Sequence, residues 1–214
     1  IERIKACLNL PGMKGVKLHS YASKDEILLR EIKSKKLVKG TFNAIKEKNP
    51  IIIWHIFVDS KEHCKKDSPK NCGKEEIDFL FEMAQKYPNF TFIIAHSMYS
   101  TEAIEYLVGL EQKHGKLSNV FLETSEANSV EKVGKAWMKF GLERVLYGSD
   151  NFDWSRSDFH KMSGLTQDQT SQIEQDNGHR FLQRINNSER NVQNKQYNIK
   201  LNIKDSVESN AIPN

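Results

Sequence analysis

Residues Ile51 to Val58 read IIIWHIFV, and this apolar run, the longest in the chain, decides the fold. Its length and its β-branched residues are typical of a buried strand in a parallel sheet, where helices cover the strands. The run is far shorter than the roughly 18 residues that a membrane-spanning helix requires, so the sequence predicts no membrane span. A fold built around such a strand needs further strands on either side.

Strand-like and helical runs alternate along the chain on both sides of this segment. The predicted strands are Lys14–Ser20, Ile51–Val58, Phe90–Ala95, Asn119–Glu123 and Arg144–Gly148. The predicted helices are Ile1–Leu10, Ser23–Asn49 with a break near Lys39-Gly40, Lys74–Tyr87, Thr101–His114, Val130–Phe140 and Thr166–Ile185. This alternation predicts a parallel α/β architecture, either an open doubly wound sheet or part of a (β/α)8 barrel. No glycine-rich phosphate-binding motif follows any strand, which leaves nucleotide binding without support.

Composition and charge narrow the class of protein. The 214 residues are 38% hydrophobic and 28% charged, which is enough apolar material for a core and excludes wholesale disorder. A net charge of +4, from 32 basic and 28 acidic residues, is too small to indicate nucleic-acid binding. Three cysteines are too few, and too odd in number, for a secreted disulfide framework, so we expect a reducing, cytoplasmic setting.

Histidine and aspartate side chains stand at the ends of four predicted strands. His19, His96 and Asp150 come at or just after the end of a predicted strand, whereas His55 interrupts the apolar run Ile51–Val58. Lys17 precedes His19 by two residues. Taken singly, such a histidine is more often a hydrogen-bonded core residue, and such an aspartate a cap or turn residue. Because the carboxyl ends of parallel strands share one edge, the four together favour a divalent-metal site suited to Zn, Mn or Fe.

Strict alternation along the strands predicts which face each of these residues occupies. It places His55 on the face of Ile51 and Ile53, and His96 on the face of Phe92 and Ile94. If the sheet is part of a barrel, we expect these four apolar side chains to point into its interior, where they would lose part of their packing if the barrel were incomplete.

Five motifs in this order resemble the amidohydrolase superfamily, specifically the amidohydrolase-related (amidohydrolase 2) branch of metal-dependent TIM barrels. They are GVKLHSY (Gly15–Tyr21), PIIIWH (Pro50–His55), FTFIIAHS (Phe90–Ser97), NVFLETS (Asn119–Ser125) and RVLYGSD (Arg144–Asp150), with Asn177, Arg180 and Leu182 near the end. GVKLH and LYGSD are the most specific of them. The resemblance covers residues 1–185 and implies strands four to eight of a (β/α)8 barrel.

The resemblance also implies a role for each matching residue. His55 would bind the metal, and His96 would bind it or act as an acid/base group. Asp150 would bind the metal and take a proton from bound water. Lys17 stands where the family often has a lysine, as a ligand, a substrate contact or a structural residue. The implied cofactor is a divalent metal, zinc first, with manganese or iron as alternatives.

One departure from the family pattern is large. The family carries His-x-His on its first strand, and this chain contains no His-x-His and no counterpart of strands one to three. A typical barrel needs about 250 residues. We therefore expect an N-terminally incomplete barrel, which would form a homo-oligomer or meet a partner that supplies the missing strands.

Three functions follow as alternatives. The first is a metal-dependent hydrolase that uses metal-activated water on a C–N or C–O bond of a small molecule. The second is non-oxidative decarboxylation, since the same branch includes decarboxylases. The third is a catalytically inactive barrel fragment that serves as a binding or assembly subunit, which the missing His-x-His favours.

Loops and the C-terminal tail carry weaker signals. Arg156, in the loop after Asp150, and His19 are predicted to bind substrate, since loops of this kind select it. The residues Glu123–Ser125 line the pocket or cap the next helix. His63, Cys64 and Cys72 form a zinc loop, a disulfide or a plain surface loop. The polar tail 186–214 is disordered or adds a strand at 197–203.

Overall fold

The computed structural model describes residues 1–19, 32–56, 74–125, 133–148, 150 and 163–187. Its strands are β1 (Gly15–His19), β2 (Ile51–His55), β3 (Thr91–Ile94), β4 (Val120–Glu123) and β5 (Val145–Leu146). Its helices are α1 (Glu2–Leu8), α2 (Ile32–Ile45), α3 (Lys74–Lys86), α4 (Thr101–His114), α5 (Val133–Phe140) and α6 (Gln167–Ser171). A π-helical turn, Gln172–Asp176, continues α6 into a helix at 177–187.

Strand order separates the two architectures that the sequence leaves open. All four pairings are parallel, and the order β1-β2-β3-β4-β5 follows the chain without a reversal. A doubly wound sheet reverses its strand order at a switch point, whereas a (β/α)8 barrel adds each strand beside the previous one. The described sheet is therefore a barrel-type segment, as the resemblance predicts.

The core lies between the sheet and its helices. The strand side chains on this face of the sheet are completely buried. They are Ile52, Trp54, Phe92, Ile94, Val120, Leu122 and Val145. Phe42 of α2 meets Trp54 edge-on, with ring centroids 6.2 Å apart, and Trp137 of α5 joins the same cluster. Burying one such side chain stabilises the fold by roughly 1.5–3 kcal/mol. Packing on this face therefore carries most of the stability of the sheet.

The other face of the sheet is only partly covered. The register places Lys17, Ile53, Ile93 and Phe121 side by side across four strands. The side chain of Lys17 is exposed and that of Ile53 is 37% exposed. Phe121 is buried and packs against Phe181, with the two ring centroids 5.1 Å apart. The prediction that Phe92 and Ile94 share the inward face with Ile51 and Ile53 is wrong. The ladder sets Ile53 opposite Ile93, so Phe92 and Ile94 face the helices.

Gly15 explains the glycine of the GVKLH motif. A Cβ atom at this position would lie 2.0 Å from the carbonyl oxygen of Ile51. Real Cβ atoms do not approach a backbone oxygen so closely, so any side chain here would push β1 away from β2. The first strand therefore depends on glycine at its start.

Several predicted boundaries differ from the structure. Helix α2 runs without a break through Lys39 and Gly40, because Val38, Phe42 and Ile45 bury its inner side. This packing outweighs the roughly 1 kcal/mol by which glycine disfavours a helix interior. Strand β2 ends at His55, and β5 is only two residues long. No described helix is long and apolar enough to cross a membrane.

Candidate active site

A left-handed turn after β3 brings His96 beside His55. The strand ends at Ile94, and His96, Ser97 and Met98 then have φ angles of 56°, 45° and 62°. Alternation alone would leave His96 on the helix side, opposite to His55. The turn redirects the chain instead, and the two imidazole rings lie with their centroids 4.5 Å apart. The predicted face of His96 is therefore wrong, while its predicted meeting with His55 is observed.

Neighbouring side chains hold this turn in place. Left-handed helical conformation costs roughly 1–2 kcal/mol for each residue that carries a Cβ. The Ser97 hydroxyl donates to the carbonyl oxygen of Glu123 at 3.0 Å and accepts from Trp137 Nε1 at 2.9 Å. Met98 is completely buried. These contacts offset the strain, and strain that the surroundings maintain is a common feature of functional sites.

His96 connects a buried network to an exposed carboxylate. Its Nδ1 lies 2.9 Å from Ser125 Oγ and 3.2 Å from the Ser125 carbonyl oxygen. Its Nε2 lies 3.8 Å from Asp150 Oδ2, with the histidine side chain 3% exposed and the aspartate side chain 51% exposed. One edge of the ring is therefore held inside the protein, and the other faces the open end of the site.

The Glu123 carboxylate organises the buried side of this network. Oε1 accepts from the backbone N–H of Ser125 at 2.6 Å, and Oε2 accepts from the Ser125 hydroxyl at 2.5 Å. Oε2 also accepts from the backbone N–H of His96 at 3.3 Å. A Cβ at Gly148 would lie 1.9 Å from Oε1, so any side chain at residue 148 would displace this carboxylate from its present position.

Asp150 is positioned through the same strand ends. The Thr124 hydroxyl accepts from the Gly148 N–H at 3.1 Å and lies 3.2 Å from the Gly148 carbonyl oxygen, so it joins β4 to the segment after β5. Asp150 follows with a φ of 41°, in the left-handed region that aspartate tolerates better than most residues. The sequence indicated Glu123, Thr124 and Ser125 only as pocket-lining or capping residues. Their contacts with His96 and Gly148 link strands too far apart in the chain for any local pattern to reveal.

The remaining predicted site residues are placed less completely. Both ring nitrogens of His55 are buried. The backbone of His19 pairs with that of His55 in the ladder, and Lys17 lies one row away, about 7 Å along the strand. The side chain of His19 lies outside the described part, as do Arg156, the residues His63, Cys64 and Cys72, and the predicted strand 197–203.

The predicted metal ligands fit a cation in chemistry but not as a complete site. Two imidazoles and a carboxylate are donors that suit Zn, Mn or Fe. Across the described parts of the chain, however, no three His, Cys, Asp or Glu side chains are placed together so as to hold an ion. His55, His96 and Asp150 alone therefore do not complete a metal site, and their role as ligands stays a prediction.

Similarity to known proteins is confined to structure. No protein-family model matches the sequence, and no curated protein matches it significantly. Dihydroorotase from Saccharomyces cerevisiae, in complex with 5-fluoroorotic acid, matches with a TM-score of 0.57 at 14% identity, over 83% of this chain and 62% of that one. Dihydroorotase from Campylobacter jejuni matches with 0.56 at 12% identity, over 85% and 61%. The described part of this chain shares the fold of these dihydroorotases.

A decarboxylase shares this fold. The 5-carboxyvanillate decarboxylase from Novosphingobium aromaticivorans, complexed with manganese, matches with a TM-score of 0.53 at 15% identity, over 85% of this chain and 60% of that one. This chain thus spans about three fifths of the length of these solved structures. That share agrees with five of eight barrel strands, so the predicted resemblance is confirmed at the level of fold.

Proposed function

We propose that this chain is the strand-four-to-eight part of an amidohydrolase-type enzyme that hydrolyses a C–N or C–O bond of a small molecule. The observation that carries the proposal is the meeting of His55, His96 and Asp150 at the carboxyl edge of the sheet, where barrel enzymes bind their substrates. Metal dependence belongs to the proposal. The ligands needed beyond His55 and Asp150 would come from outside the described residues.

His96 and Asp150 are the groups proposed to move protons. Their facing atoms lie 3.8 Å apart, too far for a direct hydrogen bond but close enough to contact one water molecule or one substrate atom together. Asp150 would accept the proton of the attacking water, and His96 would polarise the scissile carbonyl or protonate the leaving group. His96 is buried and Asp150 is half exposed, so a substrate or a water molecule can reach the pair from the open end of the site.

Turnover of two substrate panels by the purified chain tests this function. Cyclic amides and lactones would report hydrolysis, and ortho-hydroxybenzoates would report decarboxylation, each with added Zn²⁺ or Mn²⁺. We expect hydrolysis that falls by roughly 10²–10⁴-fold in His96→Ala and Asp150→Asn, since general acid–base catalysis contributes that much. His114→Ala, which removes an exposed histidine at the end of α4, should leave the rate unchanged.

Two outcomes would contradict the proposal. Release of CO2 from the hydroxybenzoates without hydrolysis would favour the decarboxylase alternative. A folded chain that turns over neither panel, and in which His55→Ala leaves Zn²⁺ affinity unchanged, would favour an inactive barrel segment that binds or assembles.

A further inference from the structure

We infer that Glu123 and Ser125 are positioning residues that fix the tautomer of His96, with its proton on Nδ1 and the lone pair of Nε2 directed toward Asp150. The tautomer follows from hydrogen-bond geometry alone. Its catalytic consequence rests on the proposed function of the site.

Two acceptors surround Nδ1 of His96. The Ser125 carbonyl oxygen, at 3.2 Å, can only accept a hydrogen bond. The Ser125 hydroxyl, at 2.9 Å, could in principle donate or accept. Its direction therefore decides how strongly Nδ1 is held in the protonated form.

Glu123 determines that direction. Its Oε2 lies 2.5 Å from Ser125 Oγ, and a carboxylate can only accept, so the hydroxyl donates its hydrogen to Glu123. The oxygen of Ser125 then has lone pairs, but no hydrogen, to offer to His96. Both atoms facing Nδ1 are acceptors, and the ring must supply the proton.

The proton on Nδ1 determines what the other ring nitrogen of His96, Nε2, presents to the site. With Nδ1 protonated, neutral His96 presents a lone pair at Nε2, 3.8 Å from the Asp150 carboxylate. Two acceptors that face each other at this distance repel unless a donor lies between them, such as a water or a substrate N–H or O–H. The network therefore prepares Nε2 of His96 to take up a proton first, which the ring can then pass to the leaving group while Asp150 takes the proton of the attacking water.

Glu123→Gln should reverse the direction of the hydrogen bonds that the Ser125 hydroxyl makes. The side-chain amide oxygen that this substitution introduces can accept from only one of the two backbone donors. It should keep the shorter contact, from the Ser125 N–H at 2.6 Å, over that from the His96 N–H at 3.3 Å, and so take the place of Oε1. The NH2 group of the amide then faces Ser125 Oγ and donates to it. The hydroxyl hydrogen turns toward His96 and favours the tautomer protonated on Nε2.

Imidazole ¹⁵N NMR at a pH where the ring is neutral measures the tautomer directly, with the His96 signals assigned by their loss in His96→Gln. We expect Nδ1–H in the unmodified chain and a roughly fivefold change of the tautomer ratio toward Nε2–H in Glu123→Gln, since one hydrogen bond contributes about 1 kcal/mol. Ser125→Ala should keep Nδ1–H through the carbonyl oxygen. The double variant should resemble Ser125→Ala, because the hydroxyl that transmits the change is gone.

Matched controls separate positioning from stability and charge. Glu105→Gln removes a carboxylate on the far side of α4, where it pairs with Lys139, and should leave the His96 tautomer unchanged. Ser100→Ala removes the N-cap of α4, lowers the melting temperature and should also leave the tautomer unchanged.

Either of two results would overturn the inference: Nε2–H as the main tautomer in the unmodified chain, or a Glu123→Gln ratio equal to that of Glu105→Gln. The first result is measured on the unmodified chain, so it does not depend on whether any variant folds. If the tautomer shifts as expected and the unmodified chain turns over no substrate, the positioning stands and the proposed function fails. If the chain turns over substrate and Glu123→Gln does so equally fast, the positioning stands and its catalytic consequence is contradicted.

Discussion

Ser100 and Glu102 show how single residues shape the start of a helix. The Ser100 hydroxyl accepts from the N–H of Ala103 at 3.2 Å and donates to the Glu102 carboxylate at 2.9 Å. The backbone N–H of Glu102, followed by the hydroxyls of Ser100 and Thr101, holds the pKa of the Glu102 carboxyl below its usual value. An ionised Glu102 in the first turn also interacts favourably with the positive end of the helix dipole of α4.

At this scale we predict that Ser100→Ala raises the pKa of Glu102 toward its ordinary range. Because the folded pKa is depressed, Glu102 stabilises the fold above the pKa of the unfolded chain, and this contribution disappears as the pH falls through the folded value. Ser100→Ala should also cost about 1 kcal/mol at neutral pH through the lost cap. Carboxyl ¹³C titration and urea unfolding measure the two effects. An unchanged Glu102 midpoint would disprove the coupling.

At the scale of elements, a buried ion pair joins α4 to the start of β5. Arg144 donates to both carboxylate oxygens of Glu111, at 2.6 and 2.8 Å, and both side chains are buried. Arg144 also donates to the carbonyl oxygens of Leu117 and Phe140, while Glu111 accepts from the Leu117 N–H. The pair thus provides hydrogen-bond partners for backbone groups in the loop that leads into β4 and at the end of α5.

Removing one partner of this pair should be far worse than removing both. We expect Arg144→Met to lower the free energy of unfolding by about 3–5 kcal/mol, because it leaves Glu111 buried without its counter-charge. Glu111→Leu combined with Arg144→Met should recover a large part of that loss. Urea denaturation of the two single variants and the double variant gives the coupling. Additive losses would show that the pair does not act as a unit.

At the scale of the whole molecule, the described sheet has two outer strands and one partly open face. β1 and β5 each pair on one side only within the described residues, and Ile53 lies exposed between Lys17 and Ile93. Unpaired strand edges and exposed apolar surface both promote association. In the dihydroorotases that this chain matches, the matching part belongs to a longer chain.

We therefore predict that the 214-residue chain self-associates at micromolar concentration, as measured by light scattering. Ile53→Glu should weaken the association, because it places a charge on the open face. Met138→Glu alters a comparably exposed apolar side chain on the helix side and should have no effect. A cooperatively melting monomer, or equal effects of the two variants, would contradict the role of this face.

Local patterns were sufficient for the elements and for part of the site. Alternating apolar residues and helical periodicity predict the five strands and the helices between them, since both depend on near neighbours in the chain. The ends of parallel strands share an edge in any such fold, so His55, His96 and Asp150 could be expected to meet before any coordinates were known.

Other features depend on contacts between residues distant in the chain, and only the tertiary structure decided them. The left-handed turn at His96 exists because Glu123 and Trp137 hold it, 27 and 40 residues away from the atoms they bind. The hydrogen-bond direction at Ser125 depends on Glu123 and His96 together. Arg144 and Glu111 are 33 residues apart, and neither position carries a local signal of their pairing. The periodicity of apolar residues therefore determined which segments form the sheet. Packing between distant segments determined which hydrogen bonds connect the side chains of the site.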